Sequence, residues 1–135
     1  MHNLELYNLI ITSILVGVII ITQIVNYPLF KNINHDFSSI HKQYVAKIGI
    51  TAGPMMVLEL LILIALLIQN FDNIIIQLMS GLVFIIWIST FGIQVPIHNQ
   101  LASSNKKNLN VLIYSNWIRT ICWILKLILS SILFI

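Results

Sequence analysis

Asn116-Trp117-Ile118-Arg119-Thr120-Ile121-Cys122-Trp123-Ile124-Leu125-Lys126 places a guanidinium and an ammonium inside an apolar stretch that continues to the last residue. A charge in hydrocarbon costs at least about 2.5 kcal/mol, so such groups face a bundle interior, pair, and mark a functional path. Asn116, Arg119, Thr120, Trp123 and Lys126 fall at i, i+3, i+4, i+7 and i+10, which is one face of an α-helix. The other faces are greasy. This segment therefore reads as a membrane helix with one polar stripe turned toward partner helices.

The rest of the chain agrees. Of 135 residues, 59% are hydrophobic and 8% charged, and the mean hydropathy is +0.97. A water-soluble domain of this size has too little polar surface to cover that much apolar area, so lipid is the solvent. The net charge of +3 is carried by basic residues near helix ends, with no basic stripe interleaved with aromatics, and nucleic-acid binding is excluded as a function class. A single cysteine, Cys122, rules out an intrachain disulfide and any CxxC motif, and reads as a small packing residue. The N-terminal apolar stretch has no basic leader or small-x-small cleavage site, and is expected to be a retained helix.

Four segments reach the roughly 20 residues needed to cross a bilayer. They run from about Leu6 to Tyr27, Ala46 to Ile68 (with an amphipathic approach from Ser39), Ile74 to Ile97, and Leu109 to Leu133. Pro28 is expected to end the first, because proline cannot extend the hydrogen-bond ladder. Runs such as Leu60-Leu61-Ile62-Leu63-Ile64 lack the period-2 alternation of a barrel, so the expected fold is all-α: one integral membrane four-helix bundle, a single domain. Lys31, Lys42, Lys47, Lys106 and Lys107 fall on one side of it and Glu5 and Asp72 on the other. The positive-inside rule then puts both termini outside a cell membrane and the two longer loops in the cytoplasm.

Helical spacing draws a polar stripe on each span. The first carries Thr12, Ile19, Gln23 and Asn26; the second His41, Tyr44, Ile48, Ala52, Met55 and Glu59; the third Trp87, Thr90, Gln94 and His98. Glu59 lies about 27 Å from His41 along a helix, so the two cannot ligate one ion. Lys126 sits at a depth similar to Glu59 and is its simplest partner, with Arg119 the rival; a structural ion pair is the plain reading, a proton carrier the functional one. Gln23, Thr90 and Asn116 are ordinary interhelical hydrogen-bonders, and the tryptophans ordinary packing, unless a ligand lies among them.

His41 and His98 share the lysine-bearing side, where a common heme or metal site is possible, since neutral imidazole is the commonest metal ligand. No HxxxH or HxxE pair accompanies them. A cytoplasmic-side pocket bounded by His41, Gln94, His98, Asn116 and Arg119 is the expected working site, because these groups converge from three helices. Trp87, Trp123 and Tyr44 complete the set of candidate ligand contacts read from the spans.

Val95-Pro96-Ile97-His98-Asn99-Gln100-Leu101-Ala102 and Asn116-Trp117-Ile118-Arg119-Thr120 resemble the recurring motifs of the anthrone-oxygenase-like family of small four-helix membrane proteins. The resemblance runs from about Gly17 to Trp123. It implies four spans and, from the members with an assigned activity, oxidation of polyketide anthrones to anthraquinones. It makes Pro96, Asn99, Asn116 and Arg119 the recurring polar motif positions. The chain departs from the pattern at His98, where relatives often carry asparagine.

Three functions compete at this level. One is an oxidoreductase or oxygenase acting on a flat lipid-soluble quinone or phenol. Arg119 then holds an oxyanion, with Asn116 beside it, and His98 or His41 serves as base or ligand. The second is a non-catalytic accessory subunit of a larger membrane complex. The third is a small proton-coupled transporter, working as a homo-oligomer with Glu59 as carrier.

Overall fold

Pro28 does not end the first helix. In the computed structural model, which describes residues 2–101 and 108–135, helix α1 spans His2–Asn32, α2 Phe37–Gln69, α3 Ile74–Leu101 and α4 Leu109–Phe134. The Lys106-Lys107 pair of the third loop lies outside the described residues. All four helices are long and apolar enough to cross a membrane.

α1 passes its proline by widening the turn before it. Thr22–Asn26 is a π-helix in which the Tyr27 N–H bonds the Thr22 carbonyl, five residues back. α3 repeats the device: Thr90–Gln94 is a π-helix in which the Val95 N–H bonds Thr90, just ahead of Pro96. Proline lacks an N–H and its ring clashes with the carbonyl four residues earlier; one extra residue per turn relieves the clash without ending the helix. α1 then tightens into a 3-10 turn at Phe30–Asn32 and stops.

Asp36 turns the chain into α2 with left-handed backbone, φ 54°, a conformation that aspartate tolerates better than most residues. At the opposite end Asn73 caps α3, its side chain accepting the Ile75 N–H at 2.9 Å. Short connections make sequence neighbours spatial neighbours, so the helices form a ring in the order α1, α2, α3, α4. α4 packs along both α1 and α3, whereas α2 touches α3 sparingly.

Two apolar clusters fill the interior. Leu15, Ile19, Leu63, Leu66, Ile76, Met79, Ile86 and Trp123 form the larger. Tyr27, Phe30, Phe37, Ile97, Leu101 and Leu112 form the other, at the end that carries Lys31 and Lys42. The outer faces present residues such as Ile24, Leu61, Phe84 and Ile121, each more than half exposed, as lipid requires.

Candidate functional site

The stripes read from the sequence do face inward, and their polar groups sort into layers. In the layer farthest from the lysines, Lys126 Nζ donates to Glu59 Oε1 at 3.1 Å, Asn8 Oδ1 at 2.8 Å and Thr12 Oγ1 at 2.6 Å. The carboxylate also accepts the Trp123 indole N–H, 3.2 Å from each oxygen. Asn8 in turn donates to Ser130 Oγ at 2.9 Å. Glu59 and Lys126 come from α2 and α4, which do not adjoin in the ring, so the pair closes a diagonal. All three ammonium protons have acceptors and both residues are fully buried. A buried pair satisfied in this way is a fixed structural element.

Arg119 has another kind of environment. Its Nε and one terminal nitrogen both donate to Asn116 Oδ1, at 2.9 and 2.6 Å, and the other terminal nitrogen lies 3.2 Å from Thr90 Oγ1. Asn116 is itself anchored, donating to Gln23 Oε1 at 2.8 Å, and Gln23 donates to the Ile113 carbonyl at 2.9 Å. On the other flank Gln94 donates to Ser115 Oγ at 2.9 Å. Gln23 and Gln94 are the glutamines of the two π turns, so the widened turns aim an amide at α4 from either side. π turns concentrate at functional sites.

Every Arg119 partner is neutral. The four carboxylates of the chain are Glu5, Asp36, Glu59 and Asp72, and among the described residues none makes an ion pair with it. The guanidinium carries five N–H groups; these three bonds use three of them, and a side-chain hydrogen bond to the neutral Tyr27 hydroxyl takes a fourth. It lines a cavity of about 340 Å³, within the range of small-molecule sites. Thr22, Tyr27, Thr90, Gln94 and His98 join it at one end; Leu15, Ile19, Met56, Trp87, Phe91 and Trp123 make the walls. Gln94 Oε1 and Trp87 Nε1 are buried here without a hydrogen-bond partner. On the α2 side the wall is Ile48, Gly49, Ala52 and Gly53, and a Cβ added to either glycine meets nothing within 4 Å. Lining residues Gly49, Val57, Phe91 and Val95 are also exposed on the bundle surface, so the cavity reaches the lipid-facing seam between α2 and α3.

A hydrogen-bonded line leads away from the polar end. Tyr27 Oη lies 3.1 Å from His98 Nε2, and His98 Nδ1 lies 2.8 Å from His41 Nε2, the two imidazoles stacked with centroids 5.0 Å apart. With both rings neutral, one of the two tautomer arrangements has the Tyr27 hydroxyl donating to His98, His98 Nδ1–H donating to His41, and the remaining N–H at His41 Nδ1. That nitrogen is buried and has no partner. Phe30 and Phe37 wall in His41, with ring centroids 5.6 Å from it in both cases.

Of the residues singled out from sequence, Trp87, Gln94, His98, Arg119 and Trp123 line one cavity. Asn116 does not; it stands behind Arg119 and fixes the fork. His41 reaches the cavity only through His98. Tyr44 and Asn99 lie outside it: the Tyr44 hydroxyl accepts from Asn26 at 3.2 Å and its ring packs edge-on against Phe30, while Asn99 is on the exposed surface. The His41–His98 pair is arranged as a hydrogen bond. A metal held between them at about 2.0–2.1 Å from each nitrogen needs those nitrogens about 3.3 Å apart in tetrahedral geometry, and a heme iron needs a wider gap. Among the described residues no group of three or more His, Cys, Asp and Glu converges to hold an ion. Tyr27 is the residue that sequence reading missed, although its i+4 spacing from Gln23 put it on the inner stripe.

Comparison with protein-family models, with characterised proteins and with solved structures finds no match to this chain. The likeness to anthrone-oxygenase-like proteins rests on the two short motifs alone.

Proposed function

We propose that this chain binds a flat, lipid-soluble molecule with an ionisable or anionic oxygen, of phenol or quinone type, and moves the proton of that oxygen. The observation that carries this reading is the lack of a carboxylate for Arg119. A buried cation lining a largely apolar cavity, held by neutral groups alone, lacks a counter-charge that a ligand oxyanion supplies. Trp87 and Trp123 give the ring its walls.

Tyr27, His98 and His41 then form the proton route. A proton given up by the bound hydroxyl passes to Tyr27 as Tyr27 passes its own to His98 and His98 passes its Nδ1 proton to His41 Nε2, which leaves His41 as an imidazolium. Removing that proton prepares an aromatic ring for oxidation, because the oxyanion yields electrons more readily than the neutral phenol. The residues thus suit the acid–base half of an oxidoreductase or oxygenase reaction. The motif likeness points to the same substrate class, hydroxylated fused rings. The lysine distribution orients the bundle with both termini outside the cell and the His41 end toward the cytoplasm. The Glu59 carboxylate is held by Lys126 and Trp123, which supports reading it as part of a structural ion pair.

The test is a titration of the protein in nanodiscs with 2-hydroxy-1,4-naphthoquinone, which is anionic at neutral pH. Saturable binding that is lost in Arg119→Gln while the fold persists supports the reading. Binding that is the same in wild type and Arg119→Gln overturns it.

A further inference from the structure

A second cavity lies on the same seam between α2 and α3. Its volume is about 320 Å³, and Leu60, Ile64 and Leu67 of α2 face Val83, Phe84 and Trp87 of α3 across it. Trp87 belongs to the lining of both cavities, so the two adjoin at its side chain along the seam. Their chemistry differs sharply. The first gathers Arg119, His98, Tyr27 and Gln94 at one end. The second has one polar side chain, Ser80, whose hydroxyl already donates to the Ile76 carbonyl at 2.8 Å. Apart from that hydroxyl and the indole N–H of the shared Trp87, the lining is hydrocarbon.

The lengths fit an elongated amphiphile. From His98 to Trp87 is about 16 Å along α3, and from Trp87 to Ser80 about another 10 Å. The sparse contact between α2 and α3 leaves the seam open to lipid on its outer side, at Ile64 and Phe84. A molecule with a polar ring at the Arg119 end and a chain running along the seam lies parallel to the helices, as a membrane lipid does.

We propose that the ligand of this protein carries a hydrocarbon tail, and that the second cavity is the tail site. The inference rests on reading the first cavity as a ligand site, and it narrows the substrate class to ring-headed lipids rather than tail-less aromatics. Trp87 stands where ring gives way to chain. The tail site also sets the direction of entry: head last out and first in, sideways between α2 and α3 from the bilayer.

Two probes with one head separate the cases: 2-hydroxy-1,4-naphthoquinone and the same ring with an undecyl chain at carbon 3, titrated in nanodiscs at equal membrane partitioning. Wild type is expected to bind the tailed probe tighter by about tenfold or more, since each buried methylene adds to affinity. Ser80→Phe and Ile64→Trp, which fill the second cavity, should bring that ratio close to one and leave the tail-less affinity unchanged. Either variant suffices if the other fails to fold. A tail advantage that survives both fillings, or no advantage in wild type, overturns the tail site and leaves the chain of the ligand in bulk lipid. Failure of the underlying reading looks different: the tail-less probe then binds without dependence on Arg119.

Discussion

Lys126 and Glu59 meet at 3.1 Å across the diagonal of the bundle, and seven residues earlier on the same helix Arg119 has no carboxylate at all. The two cations therefore have different work. The ammonium is closed off, with every proton accepted by protein. The guanidinium is held from behind by Asn116 and open in front, onto a cavity. One ties α1, α2 and α4 together; the other, in the proposed reading, takes its counter-charge from a ligand.

For the closed pair, the prediction concerns coupling. Lys126→Met leaves a buried carboxylate and Glu59→Gln a buried ammonium, each costing about 3–5 kcal/mol, whereas removing both leaves no net charge and costs less than the sum. Thermal unfolding in detergent of the two single variants and the double variant measures this. Strictly additive losses would show that the pair contributes no coupling.

Asn116→Ala should act through Arg119. It removes the shared acceptor of two guanidinium bonds, and hydrogen bonds to charged groups are worth about 1.5–3 kcal/mol each, so both stability and ligand affinity should fall. Arg119→Lys keeps the charge and loses the fork, and should weaken binding of an anionic naphthoquinone more than it lowers the melting temperature. The pair of measurements decides: an equal proportional loss of both in Arg119→Lys means a structural arginine.

The stripes on all four helices were legible because a 3.6-residue period converts spacing into faces, and charges in hydrocarbon must turn inward. Glu59 and Lys126 were paired from depth alone. What could not be read was the behaviour of Pro28 and Pro96. A proline near the end of an apolar run looks like a terminator, and whether the helix stops or widens depends on what the freed turn can hold. Here Gln23 and Gln94 hold α4, and those contacts offset the poorer hydrogen bonding of the π turns. Treating Pro28 as a stop also hid Tyr27, which looked like the last residue of a span rather than a link to His98. Asn99 was drawn in by its motif, which fixes its place in the chain and not its side of the helix.

Filling the first cavity should separate binding from folding. Gly49 sits in the interior of α2 and lines the first cavity, and a side chain there meets open space. Gly49→Leu replaces a residue that costs a helix about 0.5–1 kcal/mol relative to alanine, so the melting temperature should hold or rise. Affinity for the naphthoquinone should fall by at least about tenfold, or about 1.4 kcal/mol. Unchanged affinity in a folded Gly49→Leu protein would place the ligand elsewhere.

The orientation is tested by labelling. With Cys122 replaced by serine, single cysteines at Lys31 and Asp72 occupy opposite ends of the bundle, both on exposed positions. The positive-inside rule puts Lys31, with Lys42 and Lys47, in the cytoplasm. In intact cells a membrane-impermeant maleimide should therefore label Asp72→Cys, and should reach Lys31→Cys only after permeabilisation. The site follows the topology: His41 lies next to Lys42, so the proton taken up by His41 is held at the Lys31 end of the bundle. The reverse labelling pattern would put that end outside, and labelling of both positions from one side would refute the four-span arrangement itself.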